Sequence, residues 1–254
     1  TIGSGNSKSN EALTVATANV VRGNLVITNY AGANDVQANT IIVTDKLQAA
    51  GDITITNEEN DIDINDGAVM SATNIKLQAD KSAVNVNGGK VTSSSTVDAM
   101  AKDTNVAGGE LKAETAIMKA TNNLAISGGS ITATTANMIS GSNIEQSGGT
   151  ITATNANFNA GVAITQNGGA ITATNANLTA ARVISQSGGS LAATNTVAKA
   201  GADLSLASEL NKLQNVTVDA QNGNVTIVNG NDAAGDLNVQ TVGAVGKNLT
   251  ITNV

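Results

Sequence analysis

Paired glycines recur in this chain at Gly88-Gly89, Gly108-Gly109, Gly128-Gly129, Gly148-Gly149, Gly168-Gly169 and Gly188-Gly189, a constant step of 20 residues without an insertion. A fixed period of this length marks a chain built of stacked copies of one small unit, each unable to bury its apolar face alone. The central copies nearly coincide: 148–157 reads GGTITATNAN and 168–177 reads GGAITATNAN. Stacking the copies gives columns. One holds Val91, Leu111, Ile131, Ile151, Ile171 and Leu191. Another holds Met118, Met138, Phe158, Leu178 and Ala198, and a third Leu124, Ile144, Ile164, Ile184 and Leu204. Within each copy, apolar and polar residues alternate over four or five positions, the period of a strand with one buried face. The polar residues between them are Thr, Ser and Asn, which suit strands and turns better than helices. A helical repeat would need an amphipathic stripe of period 3.6, and 131–137 has none.

The expected fold is therefore all-β: a parallel β-helix (β-solenoid) with about 20 residues and three short strands per coil. The Gly-Gly pairs stand at the sharpest corner, where positive φ is needed. Composition agrees. The chain has no Pro, and an interior coil bonded to both neighbours would lose a ladder bond at each Pro. Hydrophobic residues make up 41% of the 254, yet Tyr30 and Phe158 are the only aromatics, so Ala, Val, Ile and Leu must fill the core. Residues 24–29, 52–57, 224–229 and 248–253 share an alternating strand ending in Asn, and they read as one motif. They extend a single solenoid over 12–254, most regular at 88–207. Residues 1–11, rich in Ser, Gly and Asn, read as a flexible or inter-subunit lead-in. At 20 residues per coil the chain makes about twelve coils, and at ~4.8 Å per stacked strand a rod of roughly 60 Å.

Absent residue types narrow the function. Without Cys there is no disulfide, zinc ribbon or thiol nucleophile. Without His there is no imidazole base. A net charge of −7 with almost no aromatics argues against nucleic acid. No apolar run approaches the ~20 residues of a membrane helix, so no membrane insertion is expected. Paired carboxylates for hydrolysis are missing where the repeat is cleanest: between Lys119 and Arg182 the one charged residue is Glu145. The glycine pairs lack the Lys-Ser/Thr and following helix of a phosphate loop. The expectation is no enzyme and no cofactor.

The Gly-Gly-x-Ile-Thr-Ala-Thr copies and the Gly-Asn-Leu-x-Ile-Thr strands resemble the repeat region of filamentous-haemagglutinin-like exoproteins of Gram-negative bacteria. The resemblance implies a right-handed coil in a long, secreted, surface-attached fibre. On this reading the chain is a structural and adhesive extracellular protein, a stiff segment or subunit of a cell-surface fibre. Its partners would be further copies, head to tail, and a host or cell-surface glycan.

Four sets of residues are candidates for a role. Gln146, Gln166 and Gln186 share a column with Val106, Ile126 and Leu206, so they should face inward and bond to one another along the axis. Asn155, Asn175 and Asn195 form a second ladder, expected at a corner. Thr132, Thr134, Thr152, Thr154, Thr172 and Thr174 should face outward as paired rows on a flat sheet. Such arrays resemble ice-binding solenoids, which gives the alternative function, an ice-binding or glycan-binding module. Asp61, Asp63 and Asn65 could offer hard oxygens to Ca²⁺, although the spacing fails that of an EF-hand loop and a solvated acidic strand is the plainer reading. Lastly, Leu249 and Ile251 lie in an alternating strand that should offer an unpaired edge to another chain.

Overall fold

The computed structural model describes residues 2–5, 12–30, 39–230 and 236–254. Among them the chain is all-β, with parallel strands about 20 residues apart stacked into a β-solenoid. One central coil shows how the sequence makes it. The strand Thr150–Ala160 buries Ile151 and Ala153, then changes phase and buries Ala156, Phe158 and Ala160. Thr154 is skipped in the register with the next coil, where Ala153 pairs with Ala173 and Asn155 with Asn175. The chain thus turns at Thr154 and leaves two faces, 150–153 and 155–160. Ala163–Gln166 forms the third, with Ile164 and Gln166 inward. These are the three short strands of each 20-residue coil.

The third corner is the Gly-Gly pair. Its second glycine has positive φ in each coil from Gly89 to Gly189, for example 65° at Gly149. The columns stack as the alternation requires. Ile131, Ile151 and Ile171 pair in register and are buried. Each coil touches only its neighbours, so the fold is held by main-chain ladders along the axis and by one continuous apolar core.

The coils are not of one length. The separation between ladder partners is 28 residues at Asn24 and Asp52, 22 at Asp63 and Asn85, 20 at Gln146 and Gln166, and 24 at Asn229 and Asn253. Even with the longer outer coils, twelve rungs stack on the third face among the described residues, from Leu13–Val15 to Leu249–Asn253, and at ~4.8 Å per rung the rod is roughly 55 Å long. The four Asn-ended strands divide between faces. Leu25–Tyr30 pairs with Ile53–Asn57 on the second face, whereas Val225–Asn229 pairs with Leu249–Asn253 on the third. Within the expected lead-in, Ile2–Gly5 is a strand paired with Leu25–Tyr30. Residues 1 and 6–11 lie outside the described residues.

Candidate functional site

Polar side chains in this solenoid either satisfy the coil above and below or face out. The inward set begins at the Gln column. Gln166 donates from Nε2 to Gln146 Oε1 at 3.1 Å and to the Ser190 carbonyl at 3.1 Å. Gln186 donates to Gln166 Oε1 at 2.9 Å. All three glutamines are buried. The column ends on Asn211, also buried, which exchanges bonds with Gln186 at 2.7 and 2.8 Å. Asn211 Oδ1 also accepts the Leu191 main-chain N–H at 2.9 Å.

Asn211 has a reason to be there. The Gly-Gly corner stops after Gly188-Gly189, since Ser208 and Glu209 follow one coil later. Side chains replace the main-chain bonds that the corner supplied elsewhere: Ser208 Oγ donates to the Gly189 carbonyl at 2.6 Å, and Leu210 N–H donates to Ser208 Oγ. Asn229, equally buried, accepts the Leu213 N–H at 2.7 Å and donates to Asn253 Oδ1 at 3.0 Å. These buried asparagines escaped the column reading because Asn in a loop-like stretch signals a turn. The clue was the loss of Gly at 208–209.

The expected outward ladders are present as geometry. Asn175 donates to Asn155 at 2.9 Å, Asn195 to Asn175 at 2.9 Å, and Asn215 extends the row to Asn195 at 3.1 Å. They stand just past the Thr154-type corner. A parallel row runs through Asn137, Asn157 and Asn177, both bonds at 2.9 Å. The threonines are all exposed, but not as one flat array. Thr132, Thr152 and Thr172 pair in register on the first face, whereas Thr134, Thr154 and Thr174 sit at the bend. The first-face row is bounded in register by Lys112 and by Ala192.

Asp61, Asp63 and Asn65 do not converge. Asp61 accepts from Ser82 Oγ and from the Ala83 N–H, Asp63 from Asn85 Nδ2 at 2.7 Å, and Asn65 from Asn87 Nδ2 at 3.1 Å. Each oxygen is turned to the following coil, where an amide, a hydroxyl or an N–H donates a hydrogen bond to it. No group of three acidic, His or Cys ligands comes together among the described residues. Asp203 behaves alike: the N–H and Nδ2 of Asn224 both donate to it, and they hold its carboxyl below the usual range. The bonds favour the ionised form, so their contribution is present above the ordinary carboxylate range and is lost as pH falls through the lowered pKa.

At the end of the third face, Leu249 and Ile251 are 42% and 40% exposed, while Val225 and Ile227, their register partners one coil earlier, are 0% exposed. Core-type residues therefore lie bare on the last described rung. Compared with known proteins, the chain matches no family model, no curated protein and no solved structure.

Two expected results follow from the interior. Gln166→Leu leaves Gln146 Oε1 without its donor, and stability should fall by about 1–2 kcal/mol. Gln166→Glu buries a charge at a site 6% exposed and should cost about 3–5 kcal/mol at neutral pH. Urea midpoints would show both, and the Glu deficit should shrink at acidic pH, where a protonated carboxyl can donate as the amide does. Coincident midpoints at pH 7 would contradict the buried ladder. Thr196 replaces the alanine of the column Ala116, Ala136, Ala156 and Ala176. Its hydroxyl is buried without a partner. Val216 fills the same column one coil later, so Thr196→Val should fit and raise stability by about 1 kcal/mol, read from the same midpoint.

Proposed function

We propose that the chain is a structural, adhesive extracellular protein: a stiff rod that serves as a segment or subunit of a cell-surface fibre and assembles end to end. The observation that carries the reading is the uninterrupted stack, in which register-paired rungs and one apolar core run from coil to coil through the described residues. The near-neutral middle supports a spacer role, because charge is nearly absent between Lys119 and Arg182. No catalytic part is proposed for any residue. The likeness to filamentous-haemagglutinin-type repeats supports secretion and surface attachment. Electron microscopy of material isolated from its source tests it together with antibody labelling of intact cells. Thin filaments with surface label are the expected outcome; label seen only after the cells are opened would refute the extracellular reading.

A second reading rests on the exposed row Thr132, Thr152 and Thr172, whose spacing is that of adjacent strands. It makes the first face an ice-binding surface, and a glycan would be the other ligand of such a hydroxyl face. Thermal hysteresis from the purified rod, abolished by Thr152→Lys, would establish it over the passive fibre.

A further inference from the structure

We infer that the rod carries a glycan-binding groove at the corner after its second face, where Thr179, Lys199, Asp219 and Gln221 surround small residues of the main coil. The inference rests on the adhesive reading above for the class of ligand, and it places the contact in this groove rather than on the first face.

The argument starts from one carboxylate. Three other aspartates are satisfied by the coil that follows: Asp61 accepts the Ala83 N–H, Asp103 the Asn123 N–H and Asp203 the Asn224 N–H. Asp219 has no such donor. The following coil crosses it at a register shift between Val242 and Val245 and presents Gly243, which has no side chain to offer. The approach is close, since a Cβ on Gly243 would lie 2.9 Å from Asp219 Cβ. The preceding coil sets Lys199 beside Asp219 in register, yet no ion pair joins the two. Asp219 Oδ1 is buried without a donor. An unmet buried acceptor is rare in a folded protein, and it marks a place for a water, an ion or a ligand group.

Asp219 lines a groove of about 300 Å³ that is open to solvent, with Ala181 and Gly201 in its apolar lining. The groove lies where the repeat loses its symmetry. The outward column reads Asn159, Thr179, Lys199, Asp219, so amide and hydroxyl give way to opposite charges over successive rungs. At the adjoining corner Gly161, Ala181 and Gly201 are followed by Gln221.

The chemistry selects the ligand. Ionised Asp219 accepts only, Lys199 donates only, and Thr179 and Gln221 do both. Thr179, Lys199 and Asp219 stand ~4.8 Å apart from rung to rung. A sugar ring meets all four groups, because each of its hydroxyls both donates and accepts, and its C–H face suits the small apolar lining. An open groove fits one residue of a glycan chain whose neighbours run out into water. A metal ion is poorly served, since no group of three acidic, His or Cys ligands comes together among the described residues.

The test is a titration of the whole nitrogen-15-labelled chain with glucose, galactose, mannose, N-acetylglucosamine and glucuronate, followed by amide chemical shifts. At least one sugar should shift Gly201 and Gln221 saturably, with a dissociation constant of about 1 mM. Asp219→Asn keeps the shape and should weaken that binding by about tenfold. Ala181→Trp fills the groove from an exposed position and should abolish the shifts, with circular dichroism to verify the fold. Thr152→Lys, on the first face, should leave them unchanged. Saturable shifts confined to the first-face threonines would overturn the groove and leave the adhesive reading standing. No shift with any of these sugars would overturn the inference, as would binding that survives both Asp219→Asn and Ala181→Trp. A response to glycine and to none of the sugars would assign the groove to a zwitterion instead and overturn the glycan.

Discussion

Removal of residues 149–168 should leave a folded rod one coil shorter, with a single cooperative urea transition. The cut joins Gly148 to Gly169, restores a Gly-Gly corner and returns each later residue to the column it already occupied, because the copies step by 20. Ile131 then pairs with Ile171, and Met138 with Leu178, both volume-tolerant exchanges within their columns. Removal of 154–163, half as many residues, should be far worse. It deletes the second face and both of its corners, so the ladder from Thr135 to Asn155 and on to Asn175 loses its middle rung. The coils on either side cannot pair across the gap. The expected result is two uncoupled stacks, read as loss of the single transition and exposure of apolar surface to a hydrophobic dye. Equal tolerance of the two deletions would mean that the 20-residue register does not govern stability.

Gly149→Val should be among the most damaging single substitutions in the repeat. Gly149 has φ of 65°, a region that costs a β-branched residue about 1–2 kcal/mol. A Cβ there would also lie 2.4 Å from the Gly128 carbonyl oxygen and 2.7 Å from its carbon, and both belong to main chain that cannot swing aside. Strain and clash together should lower stability by about 3–4 kcal/mol. Gly149→Asn separates them, since Asn tolerates the left-handed region while the contact remains. Thr152→Val, three residues on and exposed, should change stability by about 0.5 kcal/mol or less. A Gly149→Val rod as stable as the Thr152→Val rod would mean that the coils are not stacked this closely.

The fold was legible because two independent signals coincided. The Gly pairs marked one corner, and alternation at Ile151-Thr152-Ala153 marked the inward side. The corner at Thr154 was less visible. It carries no Gly or Pro, and it shows only as a shift of buried phase from Ala153 to Ala156. That shift is why the two threonine rows, adjacent in sequence, occupy a face and a bend. The Gln column could be read because Val106, Ile126 and Leu206 share it. Its terminus on Asn211 could not, since Asn211 stands 20 residues after Leu191, in the column of Ile151 and Ile171, and reaches Gln186 from that neighbouring column across the corner. The acidic stretch misled in the other direction. Asp61 and Asp63 sit close in sequence, but a ladder sends each carboxylate to the next coil rather than to a common point.

The main-chain bonds of this rod lie along its axis, and each joins one coil to the next. Under tension applied to its two ends, those bonds are loaded in line rather than in shear. They fail a coil at a time from whichever end is pulled. Releasing a 20-residue coil frees about 70 Å of extended chain for a loss of ~4.8 Å of rod. A fibre built this way resists bending through its packed core, yet it yields under a steady pull by paying out length in equal steps. Single-molecule extension of the whole rod would register that spacing as a regular sawtooth, with the 28- and 22-residue coils set apart by their longer steps.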